Sequence, residues 1–223
     1  MQHTKTFHST RGCLSYLVYD DRSKQAALID PSTEITEQIY LDAIKELGLT
    51  LSYVIDTHTH ADHISSARSL RDSTQAKIVM HIDAPAQTKD IGAKDGDVLS
   101  LGTSSLLIKH TPGHTNDSIT VYGEHAVYTG DTLLIGGTGR TDFQQGDSEA
   151  LYDSIWEKIM NMPEDTILYP GHNYQKRGQG SLSEEREKNI RLQWCKSEFI
   201  HEMDRHHPPK PELFDIAIKE NSK

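Results

Sequence analysis

The stretch Asp56-Thr57-His58-Thr59-His60-Ala61-Asp62-His63 follows directly on the apolar segment Ser52 to Ile55. An H-x-H-x-D-H pattern places four metal-capable side chains within six positions, and the chain's own residue frequencies give roughly 0.004 such patterns by chance. In an extended loop the side-chain period is two, so His58 and His60 are expected on one side, converging on one ion, with Asp62 and His63 facing the next turn. Burying so many ionisable groups without a metal would be costly, so the pattern reads as a metal site at the C-terminal end of a strand, where functional loops of layered α/β structures commonly sit.

Three further segments repeat the form of a strand followed by a Gly-containing turn with a ligand-type residue: Thr111-Pro112-Gly113-His114, Thr129-Gly130-Asp131-Thr132 and Tyr169-Pro170-Gly171-His172. Each is weak alone, and in this order they form a set. A carboxylate can bridge two cations, which makes Asp131 a natural centre between His58, His60 and His114 on one side and Asp62, His63 and His172 on the other. Of the thirteen histidines, His3, His8, His201, His206 and His207 read as solvated, and His81, His110 and His125 as structural.

Around this set the chain alternates short apolar segments with turns. Strands are expected at Leu14 to Tyr19, Ala26 to Ile29, Ser52 to Ile55, Lys77 to His81, Val98 to Leu101, Leu106 to Lys109, Ile119 to Tyr122, Ala126 to Tyr128 and Ile167 to Tyr169. Helical periodicity marks Ile35 to Leu47, with Gly48 as a C-terminal cap, and Ser148 to Met160, with Ser148 as N-cap. Ser183 to His201 also reads as helical, and Pro208-Pro209-Lys210-Pro211 is expected to stop anything after it. The result is an α/β chain with a mixed sheet or two packed sheets, and residues 1–223 are taken as a single domain.

The 223 residues carry a net charge of −10, the wrong sign for neutralising phosphates, so neither nucleic acid nor an anionic membrane is an expected partner. No apolar run approaches the roughly 20 residues of a membrane span, and no signal peptide is evident. The chain reads as cytoplasmic. Cys13 and Cys195 form no metal or redox pair and are expected to pack.

From about Cys13 to Pro211 the sequence resembles the metallo-β-lactamase superfamily, whose fold is an αββα sandwich of two mixed sheets flanked by helices. Two thiol-metabolising branches share these metal motifs: glyoxalase II, a hydroxyacylglutathione (thioester) hydrolase, and the persulfide dioxygenases, or sulfur dioxygenases. Gly139-Arg140-Thr141-Asp142-Phe143-Gln144-Gln145-Gly146 looks like the persulfide dioxygenase signature and lacks the G-R-L-F-E-G form of glyoxalase II. Leu28-Ile29-Asp30-Pro31 and Ile44-Lys45-Glu46-Leu47-Gly48-Leu49 are similar to that family too, as is the short end after Pro209-Lys210-Pro211, which leaves no fused sulfurtransferase expected. Family members commonly carry Arg-Gly-Cys ahead of the Gly-Arg pair, where this chain has Gly136, Gly137 and Thr138.

The resemblance implies one Fe(II) per chain held by His58, His114 and Asp131, with His60, Asp62, His63 and His172 around it, and oxidation of glutathione persulfide by O2 and water to glutathione and sulfite. Two imidazoles and one carboxylate leave coordination positions open, and Fe(II) can pass electrons to dioxygen where Zn(II) cannot. Tyr174 is the candidate catalytic hydrogen-bond donor. Arg140 is expected to hold a glutathione carboxylate in preference to pairing with Asp142, whereas Lys176 and Arg177 read as solvated. The same residues would also serve a binuclear hydrolase with two Zn or mixed Fe/Zn, His60, Asp62, His63 and His172 then ligating directly, and a non-catalytic metal-binding module is the third reading. A homodimer and a separate sulfurtransferase partner stay open.

Overall fold

A computed structural model describes residues 1–205 and 207–223, so the reading of His206 lies outside the described residues. Its strands form two six-stranded sheets. The first is ordered β1 (Gln2–His8), β2 (Leu14–Asp20), β3 (Gln25–Ile29), β4 (Thr50–Ile55), β5 (Lys77–His81) and β6 (Ile91–Ala93). β1 to β3 pair antiparallel, and β3 to β6 pair parallel. The second contains β7 (Val98–Leu101), β8 (Ser104–His110), β9 (Ile119–Tyr122), β10 (Ala126–Gly130), β11 (Ile167–Pro170) and β12 (Gly180–Ser181), antiparallel except for the parallel pair β10 and β11. Both sheets are mixed, as the resemblance implies.

Alternation along the strands separates three apolar layers. Tyr16, Val18, Ala27, Ile29, Ile55 and Val79 of the first sheet meet Leu101, Leu106, Ile108, Val121 and Tyr128 of the second. Their neighbours Leu17, Leu28, Val54, Ile78 and Met80 point the other way, onto Tyr40 and Ile44 of α1 (Glu37–Glu46) and Leu70 of α2 (Ala67–Thr74). On the far side Val127 and Leu168 pack on Leu151 of α3 (Ser148–Asp153) and on Ile155 and Ile159 of the π-helical turn that continues it. Complete burial of one such side chain contributes about 1.5–3 kcal/mol, so these layers hold the sheets face to face.

Several elements depart from the sequence reading for identifiable reasons. β1 is an edge strand in which Phe7 alone is buried and the other residues are half-buried or exposed, so it carries no apolar run. The expected helix over 183–201 divides into α4 (Leu182–Lys188), a 3₁₀ turn (Ile190–Gln193) and α5 (Lys196–Arg205). Asp147, not Ser148, caps α3 by accepting from the Ala150 N–H at 2.8 Å. The proline run does not end the structure: α6 (Phe214–Asn221) starts three residues after Pro211, where a helix needs no intrahelical donors. Among the described residues no helix is long and apolar enough to cross a membrane.

Gly113 shows how packing fixes the site. Its φ is +137°, and an added Cβ would collide with the backbone N and Cα of Leu151 in α3, while its carbonyl accepts from the Asp147 N–H at 2.9 Å. Gly113→Ala is therefore expected to destabilise the protein by about 1–3 kcal/mol and to displace the adjacent His114. Urea unfolding and metal content, measured on the same preparation, check both effects; unchanged values for both would refute the coupling.

Candidate metal centre

The loops after β4, β8, β10 and β11 meet at one edge of the two sheets, bringing together the four sequence segments singled out above. His58, His114 and Asp131 place one ligand atom each within 4.8 Å of one another. The surrounding hydrogen bonds settle which imidazole nitrogen is available. His114 Nδ1 lies 2.8 Å from the Arg140 carbonyl oxygen, an acceptor only, so Nδ1 carries a proton and Nε2, 3.7 Å from Asp131 Oδ2, is the nitrogen that faces the cluster. The Thr57 hydroxyl donates to Asp30 Oδ2 at 2.9 Å and thus accepts from His58 Nδ1 at 3.1 Å, leaving His58 Nε2 free. Burial, reinforced by the neighbouring His60 and His114, keeps His58 neutral by pushing its pKa down.

Gly139 and Arg140 clamp this group from outside. The Gly139 N–H donates to the Asp131 carbonyl at 2.7 Å, next to the Arg140 carbonyl that orients His114. A Cβ on Gly139 would lie 2.7 Å from His114 Nδ1, so this approach requires glycine. The signature stretch thus has a mechanical role in holding two of the three ligands.

His172 joins this group to a second one. Its Nδ1 lies 2.7 Å from Asp131 Oδ1 and its Nε2 2.8 Å from Asp62 Oδ2, so both nitrogens act as donors to carboxylates. Burial opposes the charge on His172, but the two carboxylates raise its pKa well above the ordinary value. Burial likewise tends to raise Asp131, and the His172, His114 and His58 imidazoles hold it low instead. Cys13, Asp62, His63 and His172 also place ligand atoms within 4.8 Å of each other. Cys13 Sγ lies 3.5 Å from Asp62 Oδ2 and 3.7 Å from His63 Nδ1.

His60 does not converge with His58. The two rings are tilted by 57°, and His60 Nε2 turns to Asp30 Oδ1 at 3.1 Å, with Asp56 Oδ1 at 3.9 Å. The loop is not extended at this point, because the buried Asp30 holds both the Thr57 N–H and the His60 ring. Burial raises Asp56 to about 6. His60 Nδ1 and His63 Nε2 are buried without a hydrogen-bond partner.

A cavity of about 410 Å³ opens over His114, Asp131 and His172, walled by Phe143, Phe214 and the proline run. Arg140 lines it, but the carboxylate its guanidinium holds is that of Asp142, in a bidentate pair at 2.6 and 2.7 Å, with further bonds to the Pro208 and Pro209 carbonyls. Tyr174 stands at the rim, 78% exposed, its ring 6.1 Å from that of His172. Arg177 pairs with Glu184 on the surface, and Lys176 is exposed. His81 and His110 stack on each other at 4.0 Å, away from the cluster.

Sequence reasoning missed Cys13, Asp30, Asp56 and Asn221. Cys13 does not merely pack, and Cys195 is exposed; Asp30 stood only within a stretch similar to the family and Asp56 only at a strand end, neither with a role. Asn221 lies in α6, where no helix was expected. Its Nδ2 donates to the His60 and His63 carbonyls at 2.8 and 2.9 Å, and its Oδ1 accepts from the Ser65 N–H at 2.9 Å. Asn221→Ala should release this loop at a cost of about 1–3 kcal/mol and speed metal loss to a chelator. Unaltered metal retention would show that the loop holds itself.

The profile of the Metallo-beta-lactamase superfamily matches residues 9–172. Persulfide dioxygenase ETHE1, mitochondrial, of Bos taurus is 42% identical over 93% of this chain and 82% of its own length. A probable hydroxyacylglutathione hydrolase of Schizosaccharomyces pombe is 31% identical over 75% of this chain and 66% of its own. The crystal structure of ETHE1 from Myxococcus xanthus superposes with a TM-score of 0.95 at 38% identity, covering 99% of this chain and 98% of that one. By sequence and by fold, the chain belongs to the metallo-β-lactamase superfamily and, within it, to the persulfide dioxygenase family.

Proposed function

We propose that the protein is an iron-dependent persulfide dioxygenase that takes glutathione persulfide, dioxygen and water to glutathione and sulfite. The observation that carries this reading is the convergence of His58, His114 and Asp131, one ligand atom each within 4.8 Å of the others, under the Gly139–Arg140 clamp. These three form the ligand set, two imidazoles whose Nδ1 atoms are engaged elsewhere and one carboxylate. Bound there, Fe(II) supplies redox chemistry towards dioxygen at positions left open by three protein ligands.

The remaining residues orient and balance this set. Asp30, through Thr57, and the Arg140 carbonyl fix the tautomers of His58 and His114, as outer partners of ligating imidazoles do. His172 shares its charge between Asp131 and Asp62 and can hold or release a proton at Nδ1. Tyr174, with an exposed ring at the cavity rim, is placed to donate to substrate through its hydroxyl. Arg140 keeps one Nη1 N–H beyond its four bonds for a substrate contact. This reading carries three further proposals: a cytoplasmic location, a second copy of the chain, and a separate sulfurtransferase as the persulfide's source.

The unpartnered His60 Nδ1 and His63 Nε2 favour a second reading, a binuclear glutathione thioester hydrolase in which those atoms ligate. The similarity to the Schizosaccharomyces pombe protein lies in the same direction. Elemental analysis separates the two readings: about one iron per chain is expected, and two zinc ions with efficient thioester hydrolysis would overturn the dioxygenase.

Variants give an independent separation. Asp131→Asn removes the anionic ligand and should lose iron and oxygen uptake together. His172→Ala should keep one iron and lose about 10- to 100-fold in uptake, the usual effect of an outer partner. Complete metal loss in His172→Ala, measured by elemental analysis beside an oxygen electrode, would make His172 a direct ligand.

A further inference from the structure

His58 lies between two threonines, and a buried carboxylate clasps each of them in the same way. Asp30 accepts from the Thr57 N–H at 2.7 Å and from the Thr57 hydroxyl at 2.9 Å. Asp117 repeats this on the other side of His58, its Oδ2 accepting from the Thr59 N–H at 3.0 Å and from the Thr59 hydroxyl at 2.5 Å. The two carbonyls are held as well: the Ile119 N–H donates to that of Thr57 at 2.8 Å, and Gln144 Nε2 of the signature stretch donates to that of Thr59 at 2.6 Å.

The two clasps differ in origin. Asp30 follows β3, in the same sheet as the loop it holds, whereas Asp117 belongs to the turn between β8 and β9 of the second sheet. That turn also carries the ligand His114. It is closed on itself, with the Thr115 and Ser118 hydroxyl oxygens 2.7 Å apart and the Thr111 N–H donating to the Ser118 carbonyl at 2.8 Å. His114, Asp117 and Ile119 therefore form one unit. By bonding Thr57 and Thr59 on either side of His58, this unit sets the separation of the His58 and His114 rings, whose centroids lie 4.9 Å apart at an interplanar angle of 85°. Asp117 is 7% exposed and, among the described residues, forms no ion pair, so its two bonds to Thr59 are what satisfy this carboxylate.

We propose that Asp117 is a positioning residue of the iron site, setting through Thr59 the distance and angle at which His58 and His114 meet one metal ion. The inference rests on the dioxygenase reading for the metal and for the ligand set His58, His114 and Asp131. Asp117 does not line the cavity over the metal centre, so it reaches the site through the Thr59 backbone and not through substrate. Both Thr59 donors converge on one oxygen, so position and not charge is what the carboxylate supplies.

The test uses the iron-loaded protein and reads the metal directly. Asp117→Ala should weaken iron binding about 10- to 100-fold in competition with a chelator and lower kcat by a similar factor, while KM for glutathione persulfide stays within about threefold. The electron paramagnetic resonance spectrum of the Fe(II) protein treated with nitric oxide should pass from one species in the wild type to a broadened or divided signal. Asp117→Asn should restore the wild-type spectrum and most of the affinity, since its amide oxygen can take both Thr59 donors. Thr59→Val, which removes the hydroxyl and keeps the N–H, should act in the same direction by a smaller amount and add little to Asp117→Ala.

Unchanged iron affinity and an unchanged spectrum in Asp117→Ala would overturn the proposal even if urea unfolding showed a loss of stability, because Asp117 would then brace the fold without setting the ligands. An Asp117→Asn variant that behaves like Asp117→Ala would overturn it too, by making charge the cause. If Asp117→Ala does not fold, Thr59→Val decides by the same two measurements. If the wild-type protein consumes no oxygen with glutathione persulfide, the dioxygenase reading fails. Iron affinity and the nitric oxide spectrum, neither of which needs turnover, then still decide for or against Asp117.

Discussion

The His172 imidazole, held between Asp131 and Asp62, is the interaction on which the site depends. Asp131 and His172 follow the parallel strands β10 and β11 of the second sheet, whereas Asp62 belongs to the loop after β4 in the first. One ring therefore ties together the site-bearing loops of the two sheets, whose facing sides are packed mainly with apolar side chains. The adjoining backbone adds to it, since the Leu14 N–H donates to the Gly171 carbonyl at 2.9 Å. Charge explains why the arrangement is stable: a protonated His172 lies between two carboxylates that both raise its pKa, and His63 faces Asp62 as a second imidazole at 3.1 Å. His172 so fixed also fixes which face of Asp131 is left, because Oδ1 is engaged and Oδ2 turns towards His114.

The outer support follows the same logic one layer further in. Asp30 accepts from the Thr57 N–H and hydroxyl and engages His60, so one buried carboxylate sets the conformation of the loop, the tautomer of His58 and the direction of His60. Opposing it, the Gly139–Arg140 peptide bonds Asp131 and His114 through backbone groups alone. The Arg140 side chain, locked by Asp142 and two proline carbonyls, keeps that peptide in place. The signature stretch therefore reads as a ligand clamp as much as a substrate contact.

What the sequence made legible and what it hid divide along physical lines. Strands buried on both faces, such as β4 and β5, announce themselves as apolar runs, and the Gly-His and Gly-Asp turns after strands mark the four segments that meet at the site. Edge strand β1 and the short helix α2 carry no such pattern, because one face of each is solvated. Helix α6 was hidden by the proline run, which ends one helix without preventing the next. The expectation that His58 and His60 act together failed for a more specific reason: period-two alternation assumes an extended backbone, and a hydrogen bond from Thr57 to Asp30, 27 residues away in sequence, bends the loop. No local rule sees a partner at that distance.

Every acidic group near the metal centre is neutralised by an imidazole or by hydrogen bonds, so the field that an incoming substrate meets is set by what is left over. Arg140 is neutralised by Asp142, and Arg191 is not neutralised by anything in the described chain.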